Sequence, residues 1–290
     1  MFSIAQGQID QFNEDGVLIV DGLIGDETVD KLRACYERLF RGDYETGVTP
    51  DEVNWREGTG EPSLTRQICN GWKADRDIAD VVLREDLGRA IAALGDWPGT
   101  RIMIDNVLWK PSGTRPLGHH QDSTYLDWFA PSDLLSCWIA LDDTRADGGA
   151  FEFAQGSHKW ARGRSQGEFH GPEDYRKHME MAAAREGVAP EILYVEVRQG
   201  GGSFHHGWVW PARATTGPSG RAGLLCCTPC AAIPNTRPAA WARERVPFTA
   251  DTNASPIMSS MKTISRCCGA MTATARRVST LISPVEALRE

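Results

Sequence analysis

The segment GHHQDSTYLDW, residues 118–128, sets an imidazole, His120, one residue from a carboxylate, Asp122. On an extended strand, positions i and i+2 face the same side. The two groups would then grip one metal ion together. They supply two ligands of a two-His-one-carboxylate facial triad, the arrangement of non-haem Fe(II) oxygenases. Three protein ligands on one face leave the other positions open for a co-substrate and O2. The spacing alone is a weak signal, because a surface His beside a turn Asp is the commoner use of His-x-Asp. His119 is expected on the opposite face. His158, His170 and His178 lie in polar, loop-like sequence and are expected to be solvated.

The elements that must position this pair can be read from periodicity. VLIV (17–20) is an apolar strand. DETVDKLRACYERLF (26–40) is a helix with Asp26 as its N-cap and Val29, Leu32, Cys35 and Leu39 at helical spacing. Residues 43–65 read as loop, and DIADVVLREDLGRAIAALGD (77–96) as one or two short helices ending at a glycine. TRIMIDNVLWK (100–110) alternates like a strand, and the loop after it returns into a second strand carrying His120 and Asp122. LLSCWIALDDT (134–144) is a buried strand, GGAFEFA (148–154) a short one, and ILYVEVRQGGGSFHHGWVW (192–210) two more about a Gly-rich turn. Helices followed by many short strands predict a mainly β fold with N-terminal helices, a sandwich or jelly roll.

Composition excludes several classes. The formal charge of −8 disfavours nucleic acid or an anionic membrane as partner. No apolar run approaches the ~20 residues that span a bilayer. The opening MFSIAQGQIDQF lacks the basic and apolar regions of a signal peptide, so a cytoplasmic location with reduced cysteines is expected.

Several segments together resemble the phytanoyl-CoA dioxygenase family of Fe(II)/2-oxoglutarate-dependent oxygenases. They are FNEDGVLIVDGLI, DNVLWKPSGT, HHQDSTYLDW, LLSCWIALDD, DGGAFEFAQGSHKW and GGGSFHHGWVW, in order over about residues 10–210. The resemblance implies a double-stranded β-helix, the cupin-like jelly roll. It implies Fe(II) as cofactor, 2-oxoglutarate as co-substrate, and O2-dependent hydroxylation of a small organic substrate with release of succinate and CO2. His120 and Asp122 match the first two iron ligands. Asn106 and Trp138 match positions that line the 2-oxoglutarate pocket, although Trp138 reads equally well as a core aromatic. Tyr125, Trp128 and Phe129 follow the metal motif and would wall a substrate pocket or simply pack.

The third ligand breaks the pattern. The resemblance implies a His directly after Trp210, and Pro211 stands there, with no later His in the chain. The family's carboxylate-binding Arg, further along, has no counterpart either. His205 and His206 come five or six residues earlier. That is roughly 15–20 Å along a strand at ~3.3 Å per residue, which argues against them as substitutes.

From Pro211 onward the composition changes regime. Ten Lys plus Arg face four Asp plus Glu, and five of the eight Cys and half of the 16 Pro fall there. The chain is therefore expected to divide into an oxygenase domain, 1–210, and an anomalous tail, 211–290. A single-nucleotide displacement explains the tail. Trp210–Gly217 can be written TGG CCG GCT CGG GCC ACA ACC GGG. One A inserted after TGG C turns it into Trp-His-Gly-Ser-Gly-His-Asn-Arg, which contains the missing motif. The same frame turns AGLLCCTPC (222–230) into a plausible strand that begins with Arg, where the carboxylate-binding Arg is expected. A zinc site built from these cysteines is the weaker explanation, since adjacent Cys pairs are poor tetrahedral spacing. The literal chain is expected to have the jelly roll's last strands missing or altered, with their partners' edges left unpaired, to bind iron weakly and to turn over little. Two alternatives stand beside the oxygenase: a non-catalytic jelly-roll binding protein, and a cupin-like metal enzyme that does not use 2-oxoglutarate.

Overall fold

The computed structural model describes residues 2–125, 134–162, 169–215 and 222–231, the last stretch by its backbone. Every described element belongs to one compact unit within Met1–Arg245. In chain order the elements are α1 (Gln6–Asp15), β1 (Val17–Val20), α2 (Asp26–Arg41), β2 (Glu52–Val53), β3 (Arg66–Cys69), α3 (Arg76–Val82), α4 (Glu85–Leu94) and β4 (Thr100–Lys110). There follow β5 (Leu135–Ala140), β6 (Phe151–Ala154), α5 (Lys177–Glu186), β7 (Ile192–Tyr194), β8 (Gly202–His206), β9 (Trp210–Arg213) and β10 (Ala222–Ala231).

The strands form two antiparallel sheets, β1-β8-β5-β10-β4-β3-β2 and β7-β6-β9. One face of the larger sheet is covered by helices. Phe12 of α1, Leu32 and Leu39 of α2, Ile78 of α3 and Ile91 of α4 share a core with Leu18, Val107, Cys137, Ile139 and Phe204. The other face packs on the smaller sheet, where Leu108, Trp138 and Ala140 meet Phe151 and Phe153. β5 is thus buried on both sides, and that is why LSCWIA is a continuous apolar run rather than an alternating one. No helix among the described residues is long and apolar enough to cross a membrane.

The glycines of RQGGGS are steric necessities at two points. Gly200 has φ +83° and its missing Cβ would strike the Ile24 carbonyl. A Cβ on Gly202 would strike the Trp138 carbonyl, so β8 could not lie against β5.

Several local expectations are corrected. Asp26 is the first helical residue of α2, not its cap; Gly25 holds the cap position. With Glu27, Asp26 acts on the helix dipole instead. α1, α5 and β3 arise from segments with no clear sequence period. The tail was expected to leave β-strand edges unpaired, yet β9 pairs with β6, and β10 fills the space between β5 and β4. Backbone hydrogen bonding suffices for that pairing. It also admits Pro229, where the register with β4 shifts after Thr228, because a bulge accommodates a residue without an N–H.

One capping residue ties two helices together. Buried Asp75 accepts the N–H groups of Asp77 (3.0 Å) and Ile78 (3.3 Å) at the start of α3, and Arg38 Nη2 of α2 at 2.6 Å. Asp75→Ala is expected to cost about 2–3 kcal/mol, combining a lost cap with a lost charged hydrogen bond. Urea unfolding measures it, and a cost below about 0.5 kcal/mol would show that water replaces both.

Candidate metal centre

His120 and Asp122 do come together, but not on a strand. Residues 118–121 are irregular and Asp122–Tyr125 is a 3-10 turn. The loop is held in place by its backbone. Gly118 N–H donates to Phe169 O (2.9 Å), His119 N–H to Tyr175 O (2.9 Å), His120 N–H to Pro211 O (3.2 Å) and Ser123 N–H to Gly207 O (2.9 Å). Leu117 and Arg213 exchange backbone hydrogen bonds, so β9 aligns the whole segment.

His120 Nε2 lies 3.1 Å from Asp122 Oδ1. Two ligands on adjacent octahedral positions, each about 2.1 Å from an ion, stand about 3.0 Å apart. The pair therefore has the spacing of two cis ligands. His120 Nδ1 is 2.8 Å from the Gly118 carbonyl, which can only accept, so Nδ1 carries a proton. Nε2 then faces the carboxylate across either a second proton or a cation.

The other carboxylate oxygen is occupied. Asp122 Oδ2 accepts Ser136 Oγ at 2.8 Å and His205 Nε2 at 3.1 Å. Burial works against the charge of Asp122, but His120 and His205 outweigh it and hold its pKa well below the usual carboxylate range. The site thus keeps a fixed anion with one oxygen, Oδ1, turned toward His120.

His205 reaches Asp122 although it lies six residues before Pro211 in the chain. Chain length along one strand is not the relevant path, because the chain turns through Gly207 and Trp208 and puts β8 and β9 in different sheets. His205, on β8, reaches Asp122 from the larger sheet, while Pro211, on β9, reaches the loop from the smaller one. Pro211 stands where the third ligand is expected and offers the loop only its carbonyl. His205 grips the second oxygen of Asp122, as a supporting residue does around a metal ligand. His205→Leu is expected to weaken metal affinity about 10- to 100-fold while leaving the melting transition cooperative. A metal titration followed by calorimetry checks this, and complete loss of binding would make His205 a ligand.

A second buried network sits behind the loop. His119 points away from the metal pair, as expected. Its Nε2 is 3.2 Å from Glu152 Oε1 and its Nδ1 3.1 Å from the Trp210 carbonyl. Arg176 closes the network through Nε to Glu152 Oε1 (3.2 Å) and Nη2 to Oε2 (3.1 Å). Burial raises the cost of ionising Glu152, yet His119 and Arg176 outweigh it and keep its pKa low.

Asn106 and Trp138 both stand opposite Cys226, one from each side of β10. Asn106 Oδ1 accepts Gln67 Nε2 at 2.8 Å. Trp138 is buried against Phe151 with ring centroids 5.5 Å apart, and its strand face is that of Ser136. Tyr125 is 6.0 Å from the His120 ring, and Phe169 is 4.7 Å from it. Trp128 and Phe129 lie outside the described residues. His170 is partly buried rather than fully solvated, and burial pushes its pKa down to about 4. His158 is half-buried, its ring 5.4 Å from that of His206, and burial lowers its pKa too.

Residues 12–222, well over half of the chain, match the family described as Phytanoyl-CoA dioxygenase (PhyH). The chain belongs to the phytanoyl-CoA dioxygenase family. A curated relative, the dioxygenase olcK of Penicillium canescens, is 28% identical over 160 residues, 51% of this chain and 51% of its own length. The chain thus matches about half the length of that relative. The epimerase SnoN from nogalamycin biosynthesis, described as non-heme and alpha ketoglutarate dependent, aligns with TM-score 0.61 at 17% identity, over 78% of this chain and 83% of its own. The carbocyclase SnoK from the same biosynthesis gives 0.58 at 21%, over 79% and 85%. EctD from S. alaskensis, solved with 2-oxoglutarate and 5-hydroxyectoine, gives 0.61 at 14%, over 79% and 76%. At these identities the likeness is one of fold, the double-stranded β-helix.

The sequence by itself singled out neither Ser136 nor Glu152, and it set His205 aside as a substitute ligand without giving it another role. A signal existed for two of them. Ser136 precedes Trp138 by two on the same strand face, and His205 follows Ser203 by two on β8, both facing the barrel interior. Glu152 gave none, because a lone Glu between Phe151 and Phe153 looks like a solvent-facing strand residue.

Proposed function

We propose that the chain is built as a non-haem Fe(II)/2-oxoglutarate-dependent dioxygenase acting on a small organic substrate, with His120 and Asp122 as iron ligands. The observation that carries this reading is the 3.1 Å separation of His120 Nε2 and Asp122 Oδ1 inside a jelly roll of this family. Iron, when bound, would supply the oxidative decarboxylation of 2-oxoglutarate and the activation of O2 for hydroxylation. The chain's own residues position and shield. Gly118 fixes the His120 tautomer, Ser136 and His205 fix Asp122, and Phe169 and Tyr125 keep the His120 side apolar. Asn106 and Trp138 are assigned to the 2-oxoglutarate pocket, with Trp138 also part of the core.

Pro211 limits the literal chain. With two iron ligands in place of three, we assign it weak iron binding and little turnover, and we attribute residues 211–290 to a one-nucleotide displacement at the Pro211 codon. A second reading, a non-catalytic jelly-roll binding protein, rests on that same Pro211. The protein is assigned to the cytoplasm, with neither nucleic acid nor membrane as partner.

Succinate formation from 2-oxoglutarate, with Fe(II) and air, separates the readings. The Pro211→His variant producing succinate while the literal chain produces little is the expected result. No succinate from either, with iron bound, would favour the cupin-like enzyme that does not use 2-oxoglutarate. Sequencing the coding DNA across the Trp210 codon tests the displacement directly.

A further inference from the structure

The C-terminal end of α1 is gripped by one turn, residues 155–159. Gly156 N–H donates to Asp15 O at 2.7 Å, and Gln155 Nε2 to Asp15 Oδ1 at 2.8 Å. Lys159 Nζ reaches Glu14 Oε2 at 2.7 Å, and His158 Nε2 stands 3.2 Å from Asn13 O. A carbonyl only accepts, so His158 Nε2 carries a proton and Nδ1 is the bare nitrogen of the neutral ring. Nδ1 is buried, and among the described residues nothing hydrogen-bonds to it. It lies against the cap of α1, where a Cβ built on Gly16 would strike it. A second proton on this ring therefore meets neither space nor an acceptor.

His206, at the end of β8, holds the same glycine. Its backbone N–H donates to Gly16 O at 2.9 Å, and its ring is 5.4 Å from that of His158. Its Nδ1 accepts the Trp208 N–H at 3.1 Å, and a proton placed on that nitrogen would break this bond. Burial is the main influence on both rings; it lowers the pKa of His158 and takes that of His206 down to about 4. The charges facing them mostly add to it. Lys159 of the turn disfavours a cation at His158, and Arg162, His158 and His205 disfavour one at His206. Glu14 and Asp15 of α1 favour one at His158, but they are engaged with Lys159 and Gln155.

We propose that the grip of the 155–159 turn on α1 is an acid-sensitive latch, closed by two neutral imidazoles and opened when they take up protons. Opening frees Asn13–Gly16 and loosens α1, whose Phe12 belongs to the core on the larger sheet. The closed form binds fewer protons than the open one. The latch is therefore complete above the ordinary histidine value of about 6.5 and weakens as pH falls below it. Each histidine raises the open-to-closed ratio by up to about tenfold per pH unit, and the pair by up to about 100-fold, until the folded values are reached. The latch does not depend on the oxygenase reading.

Amide hydrogen exchange of the full chain between pH 7.5 and 5, corrected for the intrinsic exchange rate, compares α1 with β5, the strand buried on both faces. The opening ratio of α1 is expected to rise about tenfold or more per pH unit below about 6 while β5 stays protected. Protection lost from α1 and β5 together would mean global acid unfolding and would overturn the latch. An α1 ratio that does not change with pH would overturn it as well. His158→Gln keeps a donor for Asn13 O and removes the titrating ring. It is expected to leave α1 as protected as in the parent at pH 7.5 and to reduce the acid response by up to about tenfold per pH unit. The same response in parent and variant would show that His158 does not operate the latch. Should the variant not fold, an NMR titration of His158 in the parent decides. A value well below the ordinary one is expected, and an ordinary value overturns the proposal.

Discussion

Pro211→His is expected to raise Fe(II) affinity at least about 100-fold. That is the upper end of what loss of a supporting residue costs a metal site, and a direct ligand contributes more. The backbone at 211 already serves the site, since its carbonyl holds the His120 N–H at 3.2 Å, and the substitution leaves that contact intact. Pro211 stands opposite Phe153, whose ring is 4.9 Å from that of His205, so a side chain here faces the interior beside the metal pair. The new imidazole would add a neutral nitrogen donor to the one imidazole and one carboxylate present. Anaerobic Fe(II) titration measures the change. Equal affinity for parent and variant would mean that position 211 does not reach the ion.

Glu152→Ala is expected to destabilise the fold by about 3–5 kcal/mol, the usual cost of removing one partner of a buried ionic network. Glu152 is completely buried and holds His119 and Arg176. His119 carries the metal loop by its ring, which stacks on Tyr175 with centroids 6.1 Å apart. The variant should therefore lose metal affinity as well as stability. The folded-state pKa of Glu152 is depressed, so its contribution is complete above the unfolded value of about 4.3 and is lost as pH falls through the folded value. Denaturant unfolding at neutral and acid pH checks both. A loss under about 1 kcal/mol at neutral pH would show that the network merely fills space.

The strands β1, β4, β5 and β6, the helices α2, α3 and α4, and the family itself were legible in the sequence. Each of those elements has a local cause, whether a period of two, a period near 3.6, or a continuous apolar run. The His120–Asp122 pairing and the gap at Pro211 were legible too, because spacing and residue type alone express them. What the tertiary structure decided is everything that depends on which segments meet. His120 and Asp122 converge through a loop and a 3-10 turn rather than a strand. His205, six residues before Pro211 in the chain, arrives from the opposite sheet and takes the free oxygen of Asp122. β10 takes the centre of the larger sheet because backbone pairing asks little of side chains. The fold, not any local pattern, places the charged residues Lys110 and Arg213 in its interior. Sequence distance sets local geometry over a few residues; beyond that, the packing of two sheets sets it, and no local pattern encodes which buried charges will lack a partner.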